Sequence, residues 1–386
     1  PTQSNAERAP DPRHDTSTEP ASASASPRLH PALTPLWRAG SSLSAEPAVA
    51  PDGTIYVASR QGTLDVLEPT GVHRFTITLG GTPAGKFYVD QRGWAYVGMI
   101  TGKLIAVTPQ GQKYFTYDSA AGIASGLEYA ENLGLLFLGR HQTVEAVNRA
   151  GYLTTRVRYE HALAAPPIGL DGWYVVATAQ NELTWSDRFG RRIKRPFDAA
   201  LRSYGATADG GVWALSNELT AFSKKRDVVF RRPNVLAMSP SPKNVMTSRG
   251  VTGVVVTAEH KLEWLDAQGS CTAATNVGAT NVGATSVGAT SVGAASVGAT
   301  SVGATGNAGA PSLEETIQLQ LDDEATAWVT TNGAQLRLVQ SNGEIGRAYE
   351  FERESLLPFV FDSPRRRTVL ATRDGAVYQV NWPSTP

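Results

Sequence analysis

An all-β chain folded as an eight-bladed β-propeller of four-stranded antiparallel blades is what three features of this sequence predict. A strand–turn motif recurs about every 40 residues, each copy has room for four short strands, and its central strand is apolar on both faces. Seven blades is the alternative count. Two stacked β-sandwiches would show the strand spacing but not a super-period of this length.

The clearest copy is Pro51–Thr78, PDGTIYVASRQGTLDVLEPTGVHRFTIT. Asp52-Gly53 reads as the central pair of a type I′ turn, which needs positive φ at both places. Thr54–Ser59 is rich in β-branched and aromatic residues, as a strand is. Gln61-Gly62 turns the chain, Thr63–Glu68 is the next run, Pro69-Thr70-Gly71 turns it again, and Val72–Leu79 alternates like a half-buried strand. Glu46–Ala50 supplies a short strand in front, completing a four-stranded meander. The place of Gly53 is then taken by Gly93, Gly134, Gly172, Gly210, Gly253, Ala325 and Arg366, at steps of 40, 41, 38, 38, 43, 72 and 41 residues. The long step holds Thr275–Ala304, six tandem five-residue units of the type TNVGA or TSVGA. Without those 30 residues the step is 42, and the count is eight units.

A single such sheet cannot bury both faces; stacked radially, each blade covers its neighbour. Trp173–Ala177, Val254–Val256 and Leu135–Leu138 are near-continuous apolar runs, as strands buried on both faces are. The eighth unit has strands near Leu356–Phe361, Thr368–Thr372 and Ala376–Trp382 and then runs out of chain. Pro35–Ala39 lies before the first unit without a partner. It is expected to supply the missing outer strand, so that both ends share blade eight and no edge is left open.

The domain reading is a disordered tail over 1–34, rich in Pro, Ser, Ala and Thr, and one propeller over 35–386. Residues 275–305 form a flexible insertion, placed at the third-to-fourth strand turn of blade six after Asp266-Ala267-Gln268-Gly269. A five-residue period matches neither helix nor strand. The start at Pro1 suggests a secretory chain whose signal has been removed. Cys271 is the one cysteine and rules out an internal disulfide. With 35 basic and 35 acidic residues, the net charge is zero, so nothing in bulk favours nucleic acid or membrane. No apolar run approaches the roughly 18 residues of a transmembrane helix.

The units GTIYVASRQGTLDVLEPTG and GWAYVGMITGKLIAVTPQG resemble the repeats of the pyrroloquinoline-quinone-like propeller superfamily, D-G-x-x-Y-V-G-x-x-x-G-x-L-x-A-x-x-x-x-G-x-x-x-W. The likeness covers about residues 35–383 and is strongest in blades one and two. Trp37 keeps the terminal Trp of the pattern, Phe75 and Phe115 replace it, and Thr155 and Lys194 mark drift. One branch of that superfamily holds quinone over the axis with a vicinal disulfide and calcium, which a single cysteine cannot reproduce. The resemblance implies instead the non-catalytic branch: eight-bladed periplasmic or membrane-attached scaffolds of the outer-membrane assembly lipoprotein type.

Chemistry is sparse. His14, His30, His73, His141, His161 and His260 show no zinc spacing, though His141 and His260 share a turn position. Asp322-Asp323-Glu324, with Glu314-Glu315 nearby, lacks the Gly turn of a calcium loop. No catalytic residue, metal or cofactor is therefore expected. The alternative, a degenerate quinoprotein-like or axial-channel enzyme, would need Glu46, Asp90, Glu128 and Asp362 to converge on the axis.

Charge is unevenly spread. Residues 186–232 hold eleven Lys or Arg and five acids; residues 311–362 hold ten acids and three Arg. Arg191, Arg192, Lys194, Arg195, Lys224, Lys225, Arg226, Arg231 and Arg232 are expected at turns and outer strands of blades four and five, as a basic rim. The expected function is a non-enzymatic, monomeric scaffold of a bacterial envelope, periplasmic, outer-membrane-associated or extracellular, that binds protein partners. Peripheral or lipid-anchored attachment stays open, and nucleic acid is not an expected partner. Because loop closure entropy grows only slowly with length, deleting residues 275–304 should leave the melting temperature nearly unchanged; a fall of more than about 5 °C would show that the repeat packs on the ring.

Overall fold

The computed structural model describes residues 33–139, 142–241, 250–259, 261–276, 317–322, 324–331, 335–342, 345–351 and 356–382. These form eight four-stranded antiparallel sheets, each a meander. Blade 1 is Ala48–Val49, Ile55–Ala58, Thr63–Leu67 and His73–Thr78. The pattern repeats through blade 7 (Ile317–Leu321 to Ile345–Glu350). Blade 8 combines Val360–Asp362, Arg367–Ala371 and Ala376–Asn381 with Trp37–Arg38 from the other end of the chain, in the register Trp37↔Val377 and Arg38↔Ala376. The expected closing strand is present, and the blade count is eight.

The second and third strands of blade 1, Ile55–Ala58 and Thr63–Leu67, are buried almost throughout, whereas its outer strand alternates. Among the described residues the apolar side chains of all the blades form eight clusters, and each cluster joins one blade to the next. Tyr56 and Val66 meet Val97 and Ile105 between blades 1 and 2, and Val57 and Leu67 meet Val369 and Val377 between blades 8 and 1. The hydrophobic core is therefore a circle of interfaces rather than a centre. Polar bonds cross the same boundaries at a repeated place. Tyr56 donates to the Gly93 carbonyl at 2.8 Å, Trp264 Nε1 to the Ala325 carbonyl at 2.8 Å, and Arg367 Nη2 to the Gly53 carbonyl at 2.9 Å.

Those three carbonyls belong to the slot that aligns the repeats. Gly53, Gly93, Gly172 and Gly210 take positive φ there, and so do Ala325 (60°) and Arg366 (48°). Gly253 does not, and a Cβ on it would strike the Trp213 ring. The turn type differs from the expectation. Gly53 N–H bonds the Ala50 carbonyl at 2.8 Å, so Pro51 and Asp52 are the central pair, and only Gly53, after them, has positive φ (88°). Pro51 has its φ preset for the first central position, which rules out type I′.

Three other expectations are corrected. The third-to-fourth turn of blade 6 is tight: Asp266 Oδ1 accepts the Gln268 and Ser270 N–H groups, and Cys271–Asn276 pairs as the outer strand. Thr275 and Asn276 thus lie opposite Leu262 and Lys261, and the repeat belongs to the connection from blade 6 to blade 7. Small residues sufficed because an outer strand needs ladder hydrogen bonds more than bulk. The ladder of the first strand of blade 8 covers only Val360–Asp362, with an isolated bridge from Leu356 to Thr372. Leu36, not Trp37, covers Gly71, as Phe75 covers Gly111 and Phe115 covers Gly151. Trp37 stacks on His73 at 5.8 Å. The expected tail and most of the repeat lie outside the described residues.

Arg367 ties the seam. Buried at 4 % exposure, it bonds Asp362 at 2.7 Å, Gln379 at 2.8 Å and the carbonyls of Gly53 and Pro69 in blade 1. Arg367→Met should cost about 3 kcal/mol or more, because Asp362 and two carbonyls lose a charged donor; a melting temperature within about 1 °C of wild type would refute this.

Candidate partner-docking site

The nine basic residues lie on the elements expected. Arg191 closes the third-to-fourth turn of blade 4, and Arg192, Lys194 and Arg195 follow on its outer strand, Arg192–Pro196. Lys224, Lys225 and Arg226 form the matching turn of blade 5, and Arg231 and Arg232 end its outer strand, Val228–Arg232. Outer strands run from one ring face to the other. Arg195 pairs with Leu183 and Arg232 with Leu219, at the far ends from Arg191 and Arg226. The nine therefore spread over the wall of two blades instead of sharing one rim.

Neighbouring acids neutralise most of them. Arg191 meets Asp187 at 2.5 Å, Lys194 meets Glu182 at 3.2 Å, Lys224 meets Asp171 at 3.3 Å and Arg231 meets Glu218 at 2.6 Å; Arg232 pairs with Glu263. Exposed pairs of this kind add about 1 kcal/mol at most. Burial pushes the Asp187 carboxyl up, but hydrogen bonds from Arg191 and from two backbone N–H groups outweigh it and hold it below the usual range. Among the described residues Arg192, Arg195, Lys225 and Arg226 pair with no carboxylate. Arg192 lies over the Tyr159 ring at 4.6 Å, Arg226 lies over Trp173 at 3.9 Å, and Arg195 donates to the Lys194 and Arg226 carbonyls.

Beside Arg195 opens a cleft of about 450 Å³ between blades 4 and 5. Phe197 and Phe222, edge to face at 6.2 Å, line it with Val228, Arg231 and Asn217. A partly apolar cleft with a few polar groups can seat one side chain of a partner. No sequence signal marked Phe197 or Asn217. They stand in a connection and a turn, where a lone aromatic or amide has no pattern to belong to.

Of the four inner-strand acids, the structure brings two together. Lys86 Nζ lies 3.8 Å from Glu46 and 3.6 Å from Glu128, joining blades 1, 2 and 3. Gly126 lets the two backbones approach, because a Cβ there would sit 2.6 Å from the Lys86 backbone nitrogen. Burial pushes Glu46 up to about 7 despite Lys86, and Glu128 adds to the rise. Burial alone would lower Lys86, but Glu128 and Glu46 overcome that and hold it above its usual value. Asp90 instead serves its own turn, taking the Arg92 and Trp94 N–H groups and the Arg92 side chain; Asp362 binds Arg365 and Arg367. Asp322 is buried, accepts Trp328 Nε1 at 2.8 Å and is raised by burial to about 6. Glu324 pairs with Arg366. His141, His260, Asp323, Glu314 and Glu315 lie outside the described residues. Among the described residues no three His, Cys, Asp or Glu side chains gather as a metal site.

Known structures share this ring. BamB from Moraxella catarrhalis matches with a TM-score of 0.61 at 13% identity, over 90% of this chain and 99% of that one. The computationally designed Ika8 protein matches with a TM-score of 0.65 at 10% identity, over 91% and 99%. At such identities the likeness shows the fold. No protein-family model and no curated protein matches the sequence.

Glu46 makes stability depend on pH. Its folded pKa, about 7, lies above the unfolded value of 4.5, so its contribution is full below 4.5 and is lost as pH rises from there to about 7. Asp322 acts the same way around 6, so the test needs a difference. The melting temperature of wild type should fall more steeply from pH 4.5 to 7 than that of Glu46→Gln; parallel curves would refute the assignment.

Proposed function

We propose that this chain is a non-enzymatic scaffold of a bacterial cell envelope, periplasmic or outer-membrane-associated, that captures a protein partner. The observation that carries this reading is the cleft between blades 4 and 5. There Arg195, without a carboxylate partner among the described residues, stands beside an aromatic lining on the most basic sector of the chain. Arginine beside aromatic rings is what the cores of protein interfaces favour. The repeats resemble those of the outer-membrane assembly type of propeller, and BamB supports the reading by sharing the fold. Among the described residues no helix is long and apolar enough to cross a membrane. Blades closed on one another leave turn-built faces and outer strands as the surfaces available to a partner.

The Glu46–Lys86–Glu128 cluster is the one observation that favours the alternative, axial chemistry. Lys86 occupies the space between the two carboxylates, however, and ties them into an ion cluster.

The test is affinity capture after cross-linking in the native cell, with the tag at the N-terminus. A specific envelope partner is expected, and its capture should weaken when Arg192, Arg195, Lys225 and Arg231 are changed to Glu. Unchanged capture at low salt would count against this sector, since low salt exaggerates surface charge. A quinone or metal that copurifies with the intact ring, with no partner, would move the assignment to the enzyme.

A further inference from the structure

One ring face carries a pattern that the charge count alone does not show. In blades 1 to 5 the first-to-second and third-to-fourth turns open on the same face. Every exposed large apolar side chain among the described residues, except Ile100, lies in a third-to-fourth turn or at the start of the outer strand that follows. Tyr152 in blade 3 and Phe189 in blade 4 are each 71% exposed, and Tyr114 in blade 2 is 58% exposed. Isolated exposed apolar residues need no explanation; their concentration at one corner of consecutive blades does.

Arginines are set among them. Arg149, Arg188 and Arg226 come from the third-to-fourth turns of blades 3, 4 and 5, and each lies over a ring: Tyr129 at 4.6 Å, Phe189 at 4.6 Å and Trp173 at 3.9 Å. None of the three pairs with a carboxylate among the described residues. The Nε atoms of Arg149 and Arg226 are buried without a hydrogen-bond partner, and Arg149 also hydrogen-bonds the Tyr88 side chain. Arg226 has a further mark. It stands at φ 72°, in the turn position that Gly71, Gly111, Gly151, Gly190 and Gly269 fill elsewhere. A side chain there costs about 1 kcal/mol relative to glycine, and strain of this kind concentrates at functional sites.

We propose that the turn face of blades 3 to 5 docks an acidic polypeptide segment. Its carboxylates take Arg149, Arg188 and Arg226, and its apolar side chains pack beside Tyr152 and Phe189. This rests on the scaffold reading above and names the partner's chemistry. Guanidinium groups held over rings present a planar fork that suits carboxylates. Glu131, Asp171 and Asp227 are exposed in turns of the same face. Mixed signs fit a protein read in register, whereas an anionic bilayer would repel those acids wherever it touched them.

The full chain is titrated with a glutamate–tyrosine copolymer and followed by tryptophan emission, since Trp173 lies under Arg226. Saturable binding that weakens with salt is expected. It should weaken about tenfold or more in the Arg149→Gln, Arg188→Gln, Arg226→Gln triple variant, the scale of one charge-assisted pair. The exposed pair Tyr152→Ala, Phe189→Ala should also weaken it with an unchanged melting temperature, which separates docking from folding. Equal binding by the triple variant overturns the proposal. So does binding to vesicles of anionic phospholipid that only the triple variant loses, with no copolymer binding. In native-cell capture, a partner held equally by wild type and triple variant would leave the scaffold standing and refute this surface. Absence of any partner would instead count against the scaffold.

Discussion

Everything in this molecule depends on blades burying each other. A four-stranded sheet with two apolar faces has no stable existence in water, and here each face is covered only by the next blade. The arrangement becomes self-consistent only when the last blade meets the first. That joint is made twice, by the Trp37–Arg38 strand and by the bonds of Arg367 to the Gly53 and Pro69 carbonyls. A buried arginine answering two carbonyls and a carboxylate is costly to desolvate and costly to remove, so it specifies one closure over others.

The same constraint decides where function can lie. Inner and central strands are committed to packing, and their ionisable groups are tied up with one another, as Lys86 is between Glu46 and Glu128. Turns and outer strands are free of that duty. On blades 3 to 5 they hold arginines lying over rings beside exposed Tyr152 and Phe189, and a cleft beside Arg195. Bulk charge misleads here. Five of the nine rim cations are neutralised by neighbours, and the electrostatic character of the sector rests on the few that are not.

Much of the fold was legible in the sequence because a repeat states the same local physics eight times. Ala325 and Arg366 were placed in a glycine slot by spacing alone, and both adopt the positive φ of that slot. Errors arose where local signals were read without their neighbours. Asp52-Gly53 looked like a type I′ pair until Pro51 took the first central place, and the Thr-Ala-Ala-Thr-Asn run opening the repeat hid an outer strand. The candidate site was less legible. The basic residues could be assigned to elements, but the partner of each could not, because an ion pair such as Arg232–Glu263 spans blades. Trp173 and Arg226 are 53 positions apart and carried no shared motif.

By itself, the sequence determined the strand content, the eight-fold repeat and the need for an N-terminal closing strand, since these follow from periodicity and from the cost of an unpaired edge. The tertiary structure alone decided which charges survive unpaired, which rings the arginines cover and which inner acids meet. Those depend on side chains brought together from different blades, and distance between blades is not written in the spacing along the chain.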